Sequence, residues 1–233
     1  MKVVSFKTCP FVQRVTALLE AKQIPYEIEF ISLSDKPDWF FEISPNAQVP
    51  LLITDSGAVL FESEAIVEYL EEVYPPLRHD VSPEERATDR AWSYLAAKNY
   101  LVQCGAQRSP DALTLADRSA KLGAAFDKVE KQLDGSPFFR GEQIGMVDIA
   151  WLVLLHRAEI VERRSGYDFI GDRPKVKAWQ RNLMATGLAG KSVAPDFEAA
   201  FADFYLSDET YLGKGGPDSS WCCGQIRETV SCC

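Results

Sequence analysis

The chain changes its hydrophobic rhythm near residue 75. Before that point, short apolar runs alternate with amphipathic stretches. Val3 to Phe6 is a short apolar run and predicts a buried strand. Apolar residues at 11, 12, 15, 18 and 19 share one helical face, so a helix is expected from Phe11 to Lys22. Pro10 stands at its first position, where a missing N–H leaves no bond unmade. Tyr26 to Phe30 alternates apolar and acidic side chains, the pattern of a half-buried strand. Asp35 to Ile43 is short and aromatic and reads as a loop that can include a helical turn. Leu51 to Thr54 and Ala58 to Phe61 flank Asp55-Ser56-Gly57 and predict a hairpin. Ile66, Val67, Tyr69, Leu70 and Val73 restore helical spacing, which Pro75-Pro76 stops.

Beyond this prolyl pair the strand signals vanish. Ser82-Pro83-Glu84-Glu85 has the form of a capping box and starts a long helix to about Gln107. Further helices are expected over Thr114 to Leu133, Met146 to Arg164, Pro174 to Met184 and Pro195 to Leu206. The third of these five is apolar on every face from Ile149 to Leu155, so it belongs in the middle of a helical domain. Residues 1–76 thus form an α/β domain and residues 82–206 an all-α domain. Residues 207–233 carry little periodicity and read as a flexible, cysteine-rich tail.

Composition narrows the function. Of 233 residues, 46% are hydrophobic and 25% charged, enough apolar side chain for a globular core. A net charge of −9 lacks the basic footprint of a nucleic-acid binder or a polybasic membrane-surface protein. The longest apolar run, Ile149 to Leu155, is seven residues, short of the roughly 20 that span a bilayer. No secretory signal opens the chain, so a cytoplasmic protein with reduced thiols is expected. The cysteines are unevenly placed: Cys9 and Cys104 stand alone, and Cys222, Cys223, Cys232 and Cys233 crowd the end. That rules against a disulfide framework for the body of the chain. His79 and His156 lie far from any cysteine pair, so no metal site of ordinary zinc spacing is expected. Phosphate-cradling glycine loops and a G-x-S-x-G elbow are both missing from the sequence.

Four segments could carry chemistry. Cys9 lies between a strand and a helix, at the expected N-cap before Pro10. Unpaired N–H groups and the helix dipole favour a thiolate there. A structural buried cysteine is the other reading of the same position. Position 12 is Val12, so no C-x-x-C partner stands nearby, and exchange would run through a mixed disulfide with a small thiol. Glu62-Ser63 could hold an amino-acid head group, although the pattern by itself better describes an ordinary helix cap. Val49-Pro50 is open to both prolyl isomers, and a cis bond would present the Val49 backbone to an extended peptide. Lys36 could pair with a ligand carboxylate or simply be solvated.

Taken in order, these segments resemble the cytosolic glutathione transferases, over about residues 1 to 206. Thr8-Cys9-Pro10-Phe11-Val12-Gln13-Arg14 is similar to the active-site segment of the omega class and of plant dehydroascorbate reductases. Leu33 to Phe40 resembles their lysine-bearing loop, Gln48-Val49-Pro50 the cis-proline turn, and Phe61-Glu62-Ser63 the γ-glutamyl site. The resemblance implies a thioredoxin-like N-terminal domain followed by a helical domain. It also implies a glutathione-dependent thiol transferase or dehydroascorbate reductase. Cys9 would be the catalytic cysteine, with glutathione as co-substrate held by Phe11, Leu33, Lys36, Val49, Pro50, Glu62 and Ser63. A small oxidised or electrophilic second substrate is implied, bound near Trp92 to Tyr100 and Phe204 or Tyr205, and so is a homodimer. Beta-class enzymes also use cysteine, so the class stays open. Two other readings stand beside this one: a non-catalytic glutathione-transferase-like scaffold or stress protein, as among the intracellular chloride-channel proteins, and a conjugating transferase. The span Gly145-Met146-Val147-Asp148 departs from the family's usual Ser or Thr cap, at an expected cost of a few tenths to about 1 kcal/mol.

Overall fold

The computed structural model describes residues 1–32 and 34–215. Leu33 and the cysteines from Cys222 to Cys233 lie outside the described residues. Four strands, β1 (Lys2–Ser5), β2 (Glu27–Phe30), β3 (Leu51–Ile53) and β4 (Val59–Phe61), form one sheet in the order β2-β1-β3-β4. Val3 of β1 lies opposite Ile28 in the parallel pair and opposite Leu52 in the antiparallel pair. A parallel pair needs a crossover, and helix α1 (Pro10–Ala21) supplies it.

Alternation along the strands sorts the side chains into two layers. Val3 and Leu52 join Val15, Leu18 and Leu19 of α1 and Ile66, Val67 and Leu70 of α3 (Ser63–Val73) in the main core. Val4 and Leu51 pack on the opposite face with Ile31 and with Phe40 of α2 (Asp38–Ile43).

The second domain holds α4 (Pro83–Gln107), α5 (Ala112–Gln132), α6 (Met146–Ser165), α7 (Pro174–Ala185), α8 (Leu188–Lys191) and α9 (Phe197–Tyr205). Ser82 caps α4 as expected, accepting from the Glu85 amide at 3.1 Å. Helix α6 is buried on every face from Val147 to Ala158, and α4 lies along it. Tyr100 donates to the Ala150 carbonyl and Gln103 to the Leu154 carbonyl, which sets the two helices parallel. The α/β domain followed by a helical domain is therefore the architecture observed.

Several local expectations change. A half-buried strand is expected over Tyr26 to Phe30, but β2 is an edge strand of the sheet, and Ile28 and Phe30 are 38% and 37% exposed. The helical turn allowed within Asp35 to Ile43 is the six-residue helix Asp38–Ile43, anchored to the sheet face by Phe40. The four-residue α8 is too short for periodicity to reveal. Residues 207–215 form turns packed on the helical domain: Leu212 is buried and the Tyr211 amide donates to the Ser109 carbonyl.

Polar bonds lock the domains together beside α1. Lys7 pairs with Asp196 at 2.6 Å, and Thr16 donates to the Ser192 carbonyl at 2.6 Å.

Candidate active site

Cys9 is the N-cap of α1, in extended backbone (φ −73°, ψ 122°), with Pro10 following at the first helical position. Its own amide is taken by the Phe6 carbonyl at 3.0 Å, which closes the turn out of β1. The N–H groups of Val12 and Phe11 face the sulfur and favour its ionised form. Burial acts against them and is the larger effect, so the thiol in the ligand-free site is pushed up. The depressed thiol expected from a helix N-terminus is thus opposed by desolvation.

The charge of Arg157 on α6 also acts to lower the Cys9 thiol, while that of Cys104 on α4 acts to raise it. Arg157 is fully buried and donates from Nη2 to the Thr8 carbonyl at 3.1 Å. Tyr205 of α9 donates to the Cys104 sulfur at 3.1 Å. Phe11 is half-buried and meets the edge of Tyr100, with ring centroids 5.3 Å apart. The helical domain therefore brings Tyr100, Cys104, Arg157 and Tyr205 to the Cys9 side of α1. Trp92 is elsewhere: it packs on Phe139, and its carbonyl accepts from Trp151. Phe204 is 40% exposed and lies between Phe6 and the Arg108 guanidinium.

A second group gathers around residues 44–50. The Val49–Pro50 bond is cis, and among the described residues neither the amide nor the carbonyl of Val49 is paired within the backbone. Pro50 is buried behind it. Lys36 donates to the Ala47 carbonyl at 2.8 Å, so its ammonium is held against this loop. Glu62 stands on the other side, exposed, and accepts from Asn46 at 2.9 Å. Its φ of +66° is unusual for a residue with a Cβ, a strain of order 1–3 kcal/mol. Ser63 follows at the N-terminus of α3, buried, with its hydroxyl on Glu64 at 3.0 Å. Glu64 in turn meets the buried Arg14 of α1 at 3.1 Å, which ties the start of α3 to α1.

Lys36, Val49, Glu62 and Ser63 thus share one rim, with an ammonium, an open backbone amide and carbonyl, and a carboxylate in sequence along it. Asn46, Arg14 and Arg157 were not picked out by the sequence reading. A signal existed for the two arginines: both sit at positions that helical spacing assigns to a buried face, where an unpaired cation is costly. The hydroxyls of Ser5 and Tyr26 are both engaged. Ser5 is buried and donates to the Phe6 carbonyl, and Tyr26 donates to Glu20.

Cavity size does not mark this site. A groove of about 840 Å³ lies between Ile24, Tyr26, Phe138 and Leu188, and none of Cys9, Lys36, Val49, Glu62 and Ser63 lines it. Cys9 instead lines a narrow cleft with Gln13, Phe30 and Ser192. The chemistry of the side chains, not cavity volume, marks the candidate site.

A mixed four-stranded sheet with a cysteine at the first helix, a cis-proline rim and an appended helical domain defines a class of protein, and the comparisons agree. The model of the glutathione S-transferase N-terminal domain matches residues 8–73, and that of the glutathione S-transferase C-terminal domain matches residues 110–181. The chain is 30% identical over 213 residues to glutathione S-transferase omega-1 of Sus scrofa, covering 89% of this chain and 87% of that protein. It is 33% identical over 154 residues to glutathione S-transferase DHAR2 of Arabidopsis thaliana, covering 65% and 68%. In fold it is similar to the crystal structure of glutathione transferase Omega 3C from Trametes versicolor, with a TM-score of 0.71 over 87% of this chain and 89% of that one, at 22% identity. The chain belongs to the glutathione S-transferase family. It is an enzyme of that family with omega-class relatives.

Proposed function

We propose that the protein is a glutathione-dependent thiol transferase or dehydroascorbate reductase in which Cys9 is the nucleophile. The observation that carries this reading is Cys9 itself, at the N-cap of α1 with the Phe11 and Val12 amides toward its sulfur. In the proposed cycle the Cys9 thiolate attacks the glutathionyl sulfur of a mixed disulfide. The Cys9–glutathione disulfide forms, the substrate thiol leaves and takes a proton, and a second glutathione thiolate releases oxidised glutathione and restores Cys9. With dehydroascorbate as oxidant, two glutathione thiols become one disulfide and their electrons and protons pass to the substrate.

The glutathione roles follow the rim. Lys36 meets the glycyl carboxylate, the Val49 backbone pairs with the cysteinyl backbone ahead of Pro50, and Glu62 and Ser63 hold the γ-glutamyl head. Phe11 lines the thiol pocket. Leu33, assigned to the same site by resemblance, lies outside the described residues. The protein acts as a homodimer in the cytoplasm in this reading, on a small oxidised or electrophilic second substrate. No helix among the described residues is long and apolar enough to cross a membrane.

The test compares wild type with Cys9→Ser on a small mixed disulfide and on dehydroascorbate, both with glutathione. Loss of either activity in the variant supports the reading. Conjugation that survives in Cys9→Ser would instead favour a conjugating transferase. Inactivity of both proteins would favour a non-catalytic scaffold.

A further inference from the structure

Arg157 is fully buried, yet no carboxylate pairs with it among the described residues. Its Nη2 donates to the Thr8 carbonyl at 3.1 Å, and its Nε and Nη1 have no hydrogen-bond partner among the described residues. The rings of Phe197 and Phe201 lie 5.4 and 5.6 Å from the guanidinium carbon. Ring faces attract a cation but do not neutralise it. Arg14, also buried, differs because Glu64 stands 3.1 Å away. A buried arginine held by one carbonyl and two rings is short of negative charge. The residue next to that carbonyl is Cys9.

We propose that Arg157 is the countercharge of the ionised Cys9 sulfur and a positioning residue for it. The guanidinium fixes the Thr8–Cys9 turn through the Thr8 carbonyl, and its uncompensated charge favours the thiolate over the thiol. This inference rests on Cys9 being the nucleophile. The Cys9 proton goes to solvent on ionisation, and no oxidant or reductant is involved.

Other groups act on the same pair. Cys104 of α4 opposes negative charge on Cys9, and the Val12 and Phe11 amides favour it. Around Arg157 itself are His156 on α6, Tyr100 of α4 and Tyr205 of α9, and burial keeps all three neutral near pH 7. Lys7 lines the narrow Cys9 cleft, but Asp196 pairs with it. Arg157 is therefore the uncompensated full charge among the groups that act on the sulfur.

The experiment is alkylation of Cys9 by iodoacetamide across pH, without glutathione. Peptide mass spectrometry separates Cys9 from the other thiols, and wild type, Arg157→Gln and Arg157→Lys are compared. The expected midpoint for Arg157→Gln is a unit or more above wild type, at least a tenfold slower reaction at a fixed pH below both midpoints. Arg157→Lys should recover most of that loss. A folded Arg157→Gln whose profile overlays wild type would overturn the proposal. If Arg157→Gln does not fold, wild type alone decides through the rate ratio of anionic iodoacetate to neutral iodoacetamide. A ratio above that of N-acetylcysteine amide supports a countercharge at Cys9, and an equal or lower ratio overturns it. If Cys9→Ser keeps reductase activity, the proposed function fails while the alkylation result still stands or falls by itself.

Discussion

Gln13 donates from Nε2 to Nδ1 of His156 at 2.8 Å, so the helix that starts at Cys9 is bonded to the central helix of the second domain. The acceptor nitrogen exists only on a neutral ring. Burial, and then the charges of Arg157 and Arg163, push the imidazole down to about 4. An unfolded chain takes up this proton near pH 6.5, and the native protein does so only near 4. The stability held by neutral His156 is complete above pH 6.5 and is lost as pH falls to about 4, by at most about 3 kcal/mol. Asp148 has the opposite sign, because burial pushes its carboxyl up to about 6 and the native state binds that proton first. The two effects offset each other in wild type. The comparison with His156→Gln separates them: urea unfolding should show the variant's deficit narrowing between pH 7 and pH 4. A constant deficit across that range would contradict a neutral buried ring.

The strained backbone of Glu62 predicts a trade between stability and ligand affinity. Glycine has no Cβ to clash at φ +66°, so Glu62→Gly should raise thermal stability by about 1 kcal/mol. The same change removes the carboxylate that Asn46 holds at 2.9 Å. Affinity for glutathione, by calorimetry, should fall about tenfold or more, and Asn46→Ala should shift it the same way without the gain in stability. A Glu62→Gly variant that binds glutathione as wild type does would remove Glu62 from the proposed site.

How much of this was legible in the sequence differs between the parts of the site. The order of strands and helices follows from period 2 changing to period 3.6, and Pro10, Pro83 and the Pro75-Pro76 pair mark boundaries through their missing N–H. Cys9 and Glu62 could be found because each sits at a strand-to-helix junction. Arg157 could not be assigned a role, since its partner Thr8 is 149 residues away and only tertiary packing brings them together. The exposure of Ile28 and Phe30 was hidden for a similar reason. Alternation marks a strand's two faces but not whether the strand lies at a sheet edge. The short helix Leu188–Lys191 offers barely one turn of pattern.

Gly145 shows a family departure with a local physical cause. A Cβ at this position would meet Cδ of Arg78 at 3.0 Å. Arg78 is itself fastened, to Glu85 at 2.7 Å and Asp89 at 3.3 Å. A serine cap would add only a few tenths of a kcal/mol over glycine, and displacing this arginine would cancel it. Gly145→Ser should therefore leave the melting temperature unchanged or lower it. In an Arg78→Ala background the same substitution should stabilise. A clear rise in the otherwise wild-type protein would mean that Arg78 moves aside freely.

Asp148 carries the cap that Gly145 lacks, and its isosteric amide should not replace it. Oδ2 accepts from the Gly145 amide at 2.8 Å, and Oδ1 accepts from the Phe139 amide at 2.9 Å and the Trp179 indole at 2.7 Å. Burial penalises the charge, which alone would make asparagine an improvement. Three converging donors reverse that expectation, because an amide NH₂ must turn a donor toward one of them. Turned either way, it leaves at least one buried N–H facing another. Asp148→Asn should cost about 2–4 kcal/mol in urea unfolding at pH 7. Trp179 fluorescence should report the loss of its indole bond in the folded variant. Unchanged stability would mean that the carboxylate is already protonated at that pH and the donors are satisfied elsewhere.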